Sequence, residues 1–283
     1  MPGADASFAS IHDKVDWISK RLKTLFVERQ LPYRLSRALD RVLLLLGVRM
    51  RKIRVDGLSF YVRRGSDDEA IVRRVVEQRE YLPDDFKIGP RDVVVDIGGN
   101  IGSFAVLAAS LAREGRVFSY EPIPENYEIL RQNLILNGHT HAKAFCQGVI
   151  DKPGKVEMFL DIRSNGGHSI KQLPGNLGGI QVDMTTLERI LADNNITTID
   201  FLKIDCEGAE FQILNRCDPA LLSRVRRLAM EYHILEKPPK KAERARELIE
   251  FLESRGFRVV AHHDIATSWE GLLYMERDTT RAA

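Results

Sequence analysis

The chain has 283 residues, 44% of them hydrophobic and 29% charged, which is ample for one large core and argues against wholesale disorder. Its 42 lysines and arginines nearly cancel 40 acids, leaving a net charge of +2, and that balance argues against a protein living mainly on nucleic acid or on an anionic membrane. Cys146, Cys206 and Cys217 form no CxxC pair and no metal-finger spacing, which argues against a disulfide scaffold.

The N-terminal stretch carries acids and no apolar h-region, so no signal peptide is expected. The apolar run Val42–Val48 is far shorter than the roughly 20 residues of a membrane span. A cytoplasmic protein without a transmembrane segment is therefore the expectation. Residues 11–29 place Ile11, Val15, Ile18, Leu22, Leu25 and Phe26 on one helical face, and residues 34–46 read as a second helix ending at Gly47. These helices are expected to pack on the main domain, cover a site, touch a membrane surface or build a homodimer. Asp56-Gly57 between β-rich runs signals a hairpin. The domain division expected is 1–65 for this helix-and-hairpin segment and 66–283 for the remainder.

Ser66 and Glu69 form a capping box before a helix over 70–81, and Thr185 with Glu188 forms another before 187–193. From Arg91 onward apolar runs alternate with helical patterns. Strands are predicted at 93–97, 117–120, 142–147, 201–204, 228–232, 258–261 and 271–275, with helices at 101–113, 125–137, 187–193, 209–215 and 241–255. Pro124 suits the first turn of its helix. This alternation implies an α/β fold with a doubly wound, mostly parallel seven-stranded sheet. The Gly- and Asn-rich stretch 161–179 interrupts the pattern and reads as a surface or substrate loop.

The segment VVVDIGGNIGSF is the most informative. A buried strand reaches Asp96, and Gly98, Gly99 and Gly102 permit a tight turn into a helix with close ligand approach. The dinucleotide fingerprint G-x-G-x-x-G fails, because Asn100 stands where its second glycine belongs. An acid at the strand end also disfavours a pyrophosphate and suits a cofactor bearing an ammonium and a sulfonium. D-I-G-G-N-I-G resembles the first motif of class I S-adenosylmethionine-dependent methyltransferases, a Rossmann-like fold, and Glu121 ends the next strand where that class has an acid for the ribose hydroxyls.

IDFLKIDCEGAEFQIL, residues 199–214, together with E-P-x-x-E-N from Glu121, is similar to the FkbM-type methyltransferases over about residues 91–231. That resemblance implies transfer of a methyl group from S-adenosylmethionine to a hydroxyl of a sugar or polyketide-type natural product. It implies that Asp96, Gly98, Asn100 and Gly102 line the methionine end of the cofactor, that Glu121 binds ribose, and that Gln147, Gly148 and Val149 edge the adenine. Gly99 replaces an alanine common in that family, a change expected to cost little.

Ligands of doubly wound sheets bind outside the carboxyl ends of the strands. Asp205 and Glu231 lie at two such ends. An alcohol must lose its proton as it attacks a methyl group, and two routes are open. A divalent ion such as Mg²⁺ held by Asp205 and Glu231 lowers the pKa of the hydroxyl. Alternatively a base, His233 or His168, takes the proton directly. Asn165 and Trp269 are further candidates for contact with the acceptor. A nicotinamide oxidoreductase fails on the glycine spacing. A nucleic-acid methyltransferase lacks support because Lys237-Pro-Pro-Lys240 offers neither the acceptor nor the aromatic of the amino-methylating motif. The expected partner is a small-molecule or oligosaccharide hydroxyl acceptor.

Overall fold

A computed structural model describes residues 49–161, 176–234, 241–264 and 270–278. The two N-terminal helical patterns, Asn165, His168, Lys237–Lys240 and Trp269 lie outside the described residues. The chain divides into two compact units, residues 1–52 with 62–66 and residues 53–61 with 67–283. The division runs through a hairpin of β1 (Met50–Val55) and β2 (Leu58–Arg63). Its turn residues Asp56 and Gly57 both take positive φ, 47° and 81°, the conformation that matches the twist of two paired strands.

The larger unit is built on a seven-stranded sheet. Its strands are β3 (Val93–Ile97), β4 (Arg116–Tyr120), β5 (Ala142–Phe145), β9 (Phe201–Ile204), β10 (Arg227–His233), β11 (Phe257–Asp264) and β12 (Glu270–Arg277). They lie in the order β11-β12-β10-β9-β3-β4-β5, with β12 antiparallel to both neighbours and the other pairings parallel. All seven predicted strands are present, and the doubly wound class I methyltransferase architecture is the one observed. The apolar runs of β3 and β9 are buried on both faces, as parallel strands require.

The helices are α1 (Asp68–Val76), α2 (Ser103–Leu111), α3 (Pro124–Leu136), α4 (Leu187–Asp193), α5 (Glu210–Arg216), α6 (Pro219–Leu222) and α7 (Lys241–Ser254). Helix α2 is apolar nearly all round and buried from Ser103 to Ala109. Helix α3 is fastened to β2 by amides: Asn133 accepts from Tyr61 N at 2.6 Å and donates to Ile101 O at 2.8 Å, while Asn137 accepts from Ser59 N at 2.9 Å. Among the described residues no helix is long and apolar enough to cross a membrane.

Three local expectations are corrected. Helix α1 stops at Val76 instead of reaching Tyr81, because Arg79 takes a left-handed φ of 54° and turns the chain into a loop whose Tyr81, Leu82, Phe86 and Ile88 are buried. In neither helix is the predicted cap residue the N-cap observed. The N-cap of α1 is Asp67 without a side-chain cap bond, and the Ser66 hydroxyl donates to Arg63 O. The cap of α4 is Thr186, whose hydroxyl accepts from Arg189 N at 3.3 Å, because Thr185 is engaged in strand pairing with Val149.

The third correction concerns the interrupted stretch. Its two described ends, Asp161 and residues 176–179, belong to a second sheet, ordered β6 (Gly148–Val149), β8 (Asn176–Thr185), β7 (Gly154–Asp161), while 162–175 lie outside the described residues. Val156, Met158, Ile180, Val182 and Met184 recur every second residue along β7 and β8 and pack with Ile123 and Ile150 into a small core.

Candidate active site

Strand β3 delivers the chain to its carboxyl end, where Gly98 turns at φ 80° and Gly98 N and Gly99 N both donate to Tyr120 O at 3.0 Å. A Cβ on Gly98 would collide with the backbone carbonyl of Asp205, so only glycine lets the loop nestle between β3 and β9. Gly99 is less constrained: its φ is not positive, and a Cβ there would meet only side-chain ends, the Ser119 hydroxyl and Leu130 Cδ1, which would have to shift. Gly102 at φ 88° is the left-handed N-cap of α2. Glu121, at the end of β4, ties the loop down: its Oε2 accepts from Asn100 N at 2.8 Å and its Oε1 from Ile123 N at 2.9 Å. Burial pushes its carboxyl up to about 7, although those two N–H groups pull the other way.

A cavity of about 360 Å³ opens above this loop. Gly98, Asn100, Glu121, Gly148 and Val149 line one end, with Met158 and Met184 of the small sheet beside them, and Asp205, Glu207, Glu231 and Glu270 line the other. Helix α1 closes a flank with Ile71 and Arg74. Asp96, Gly102, Gln147 and His233 do not reach the wall. Asp96 is fully buried beneath it, accepting from the Ser119 hydroxyl at 2.6 Å.

Lys203 is buried among these groups. Its Nζ donates to Gly98 O at 2.7 Å and stands 3.3 Å from Asp96 Oδ1 and 3.6 Å from Asp205 Oδ2. Burial by itself would lower its pKa, but Asp96 and Asp205 outweigh that and raise it, so the ammonium stays charged.

The acid end is tightly coupled. The Tyr81 hydroxyl donates to Asp205 Oδ2 at 2.9 Å and lies 3.3 Å from Glu231 Oε2. Burial, reinforced by Asp205, pushes the Glu231 carboxyl up to about 8, and burial does the same to Glu207. Glu207 holds a left-handed φ of 54° ahead of Gly208, a strained backbone of the kind that clusters at functional sites. Behind the wall, His233 Nδ1 bonds Glu210 Oε1 at 2.9 Å and its Nε2 faces Glu207 at 3.5 Å and Glu231 at 3.8 Å. Burial opposes its protonation, yet Glu210 and Glu207 raise its pKa well above the ordinary histidine value. His233 is thus enclosed by the side chains of Glu207, Glu210 and Glu231.

Asp205, Glu207 and His233 each offer a ligand atom within 4.8 Å of the others, and so do Glu231, His233 and Glu270. That donor set, mostly carboxylate oxygen, fits a hard divalent cation. On the cofactor side, Asn100 and Ser103 line the cavity, and their buried Oδ1 and Oγ have no hydrogen-bond partner among the described residues.

Tyr81, Lys203, Glu207 and Glu270 belong to this site without having been singled out by motif. Lys203 does carry a signal, a lone charge inside the apolar strand FLKI. Glu207 sits in the D-C-E-G turn, while Tyr81 and Glu270 reach the site through the fold alone.

A family model described as the methyltransferase FkbM domain matches residues 96–259. The chain is similar to the 31-O-demethyl-FK506 methyltransferase FkbM of Streptomyces tacrolimicus, with 27% identity over 224 residues that make up 69% of this chain and 83% of that relative. It is also similar to methyltransferase sdnD of Sordaria araneosa, with 24% identity across 63% of this chain and 80% of that protein. Among solved structures, the Methanococcus jannaschii fibrillarin pre-rRNA processing protein aligns with a TM-score of 0.48 and 12% identity, covering 81% of this chain and 83% of that one.

Proposed function

The chain belongs to the FkbM methyltransferase family and is an S-adenosylmethionine-dependent methyltransferase; from that premise we propose that it methylates a hydroxyl oxygen of a small, uncharged polyhydroxy acceptor, a sugar or a polyketide-type alcohol. One observation carries this reading: a single cavity joins the glycine loop and Glu121 to a cluster of carboxylates centred on Asp205 and Glu231.

In this assignment Glu121 would hold the ribose hydroxyls, Gly148 and Val149 with Met158 and Met184 would take the adenine, and Asn100 and Ser103 would receive the methionine tail. Asp96 acts from below, holding Lys203 against the Gly98 carbonyl and so fixing the loop. The acids of Asp205 and its neighbours would favour binding of a positively charged sulfonium beside them. When bound, S-adenosylmethionine would supply the methyl group to the acceptor oxygen and leave as S-adenosylhomocysteine, and a carboxylate of the acid end would take the acceptor proton. Glu231, whose Oε2 lies 3.3 Å from the Tyr81 hydroxyl at that end, is the carboxylate assigned to accept the proton. His233, behind the wall, orders Glu207 and Glu231 without touching the acceptor.

Asp205 and Glu231, with Glu207, His233 and Glu270, are also the residues that would hold a divalent ion. Bound there, Mg²⁺ or Mn²⁺ would lower the pKa of the acceptor hydroxyl. The wall supports a neutral acceptor over a polyanion: Asp67, Glu121, Asp205, Glu207, Glu231 and Glu270 face Arg74 and Lys203, and Lys203 is already committed to Asp96, Asp205 and Gly98.

The test is methyl transfer from labelled S-adenosylmethionine to methyl hexopyranosides and to a macrocyclic polyketide alcohol, each with and without chelator. Formation of a methyl ether on either class supports the assignment. Loss of turnover in chelator with rescue by Mg²⁺ assigns the metal route, and full turnover in chelator assigns the carboxylate base. Absence of ether product from every hydroxyl acceptor, with cofactor bound, refutes O-methylation.

A further inference from the structure

Tyr81 precedes the segment that the family model matches, 96–259, yet its hydroxyl lies at the centre of the acid end. The residue is 3% exposed. Its ring packs edge-on against Phe104 at 5.5 Å, with Lys203 Nζ 5.1 Å from the ring centre. The loop that carries it is clamped on its far side. The Tyr274 hydroxyl donates to Glu80 O, and Phe86 packs against both Phe201 and Tyr274. The phenol is therefore fixed from its own backbone as well as from its ring.

Two carboxyl groups that converge on one point repel each other when both are ionised, and burial strengthens that repulsion. Lys203 offsets it on the Asp205 side, at 3.6 Å. The phenol spans both acids, at 2.9 Å from Asp205 Oδ2 and 3.3 Å from Glu231 Oε2, and offers one proton that either can accept. It occupies one oxygen of each carboxylate and leaves Asp205 Oδ1 and Glu231 Oε1 for other partners.

We propose that Tyr81 is a positioning residue for methyl transfer, its hydroxyl holding Asp205 and Glu231 in the convergent arrangement that receives the acceptor. This rests on the role assigned above to those two carboxylates. The same geometry brings Tyr81, from a loop outside the family domain, to the reacting centre.

Tyr81→Phe removes the oxygen and keeps the ring, its packing on Phe104 and its place over Lys203. Crystal structures of wild type and variant with S-adenosylhomocysteine are expected to show the two carboxylates parting by about 1 Å, a displacement that can lower the rate by about a hundredfold. For methyl transfer to the hexopyranoside or polyketide probe, kcat should fall about ten- to hundredfold, while KM for S-adenosylmethionine and affinity for S-adenosylhomocysteine stay within about twofold. Carboxylates that remain in place, or a loss of kcat matched by equal losses in cofactor affinity and thermal midpoint, would overturn the proposal. If wild type methylates neither probe, O-methylation fails, but the position of the two carboxylates in the variant still decides the role of Tyr81.

Discussion

Lys203 is buried between two acids and a carbonyl, and each contact constrains a different part of the site. Its bond to Gly98 O holds the glycine loop, its pairing with Asp96 compensates a carboxylate of zero exposure, and its approach to Asp205 links both to the reacting end. Lys203→Met strands the Asp96 charge, and removing one partner of a buried pair costs about 3–5 kcal/mol. Denaturant unfolding of the variant should show that loss, and an unfolding free energy within about 1 kcal/mol of wild type would contradict it. Gly98→Ala acts differently. The strained φ of 80° and the collision with Asp205 O should displace the loop, so calorimetry is expected to find S-adenosylhomocysteine affinity at least about tenfold weaker.

These residues were unequally legible from sequence. Asp96, Glu121, Asp205 and Glu231 stand at or near the ends of apolar strands, where the topology itself predicts a ligand. Tyr81 does not, because 124 positions separate it from Asp205 and nothing in a loop tyrosine announces that contact.

At the scale of elements, local signals competed with pairing. Thr185 and Thr186 both precede α4, and the capping-box pattern favours Thr185 with Glu188. Strand β8 decides otherwise: Thr185 pairs with Val149, and its carbonyl accepts from Ile150 N at 3.0 Å, which leaves Thr186 to cap. Thr186→Ala should therefore cost about 1 kcal/mol and Thr185→Ala should leave the helix cap intact, a contrast that thermal unfolding of the two variants can read. Equal destabilisation confined to Thr185→Ala would reverse the assignment. The small sheet shows the same competition. Its Gly- and Asn-rich connection reads as a loop, while the alternation Ile180-Gln181-Val182-Asp183-Met184 carries a period of two that fits a half-buried strand. Helix α3 is a third case, since its Asn133 and Asn137 are polar by composition yet fasten it to β2 through backbone groups that an apolar-periodicity template does not count.

The whole molecule places its chemistry where the chain order of the sheet reverses. From β3 the chain builds outward through β4 and β5, then returns to β9 on the other side, and the crevice at that switch holds Gly98, Lys203 and Asp205. That much follows from the alternation of strands and helices, which is why the seven-stranded sheet was readable while the small second sheet was not.

One global consequence is a pH dependence. Glu121 is 4% exposed, and burial raises its carboxyl from about 4.5 to about 7. Between those values the folded protein binds a proton that the unfolded chain has released, so stability falls as pH rises. The contribution is fully present below about 4.5 and is lost as pH rises through 7. The ligand-free protein should therefore melt lower at pH 7.5 than at pH 5 through this group, by an amount equivalent to at most about 3 kcal/mol. Glu121→Gln should flatten that slope, and an unchanged slope in the variant would contradict the burial argument.

The most direct test of the joined cavity is a single labelling experiment. Wild type and Asp205→Asn are incubated with methyl-labelled S-adenosylmethionine and the hexopyranoside and polyketide alcohols, with S-adenosylhomocysteine affinity measured on the same preparations. The expected result is label in an ether product for wild type, with a loss of at least about a hundredfold in Asp205→Asn and cofactor affinity retained within a few-fold. Label appearing at equal rates with both proteins, or cofactor bound by wild type with no label in any hydroxyl product, would contradict the assignment of Asp205 and its neighbours as the reacting end.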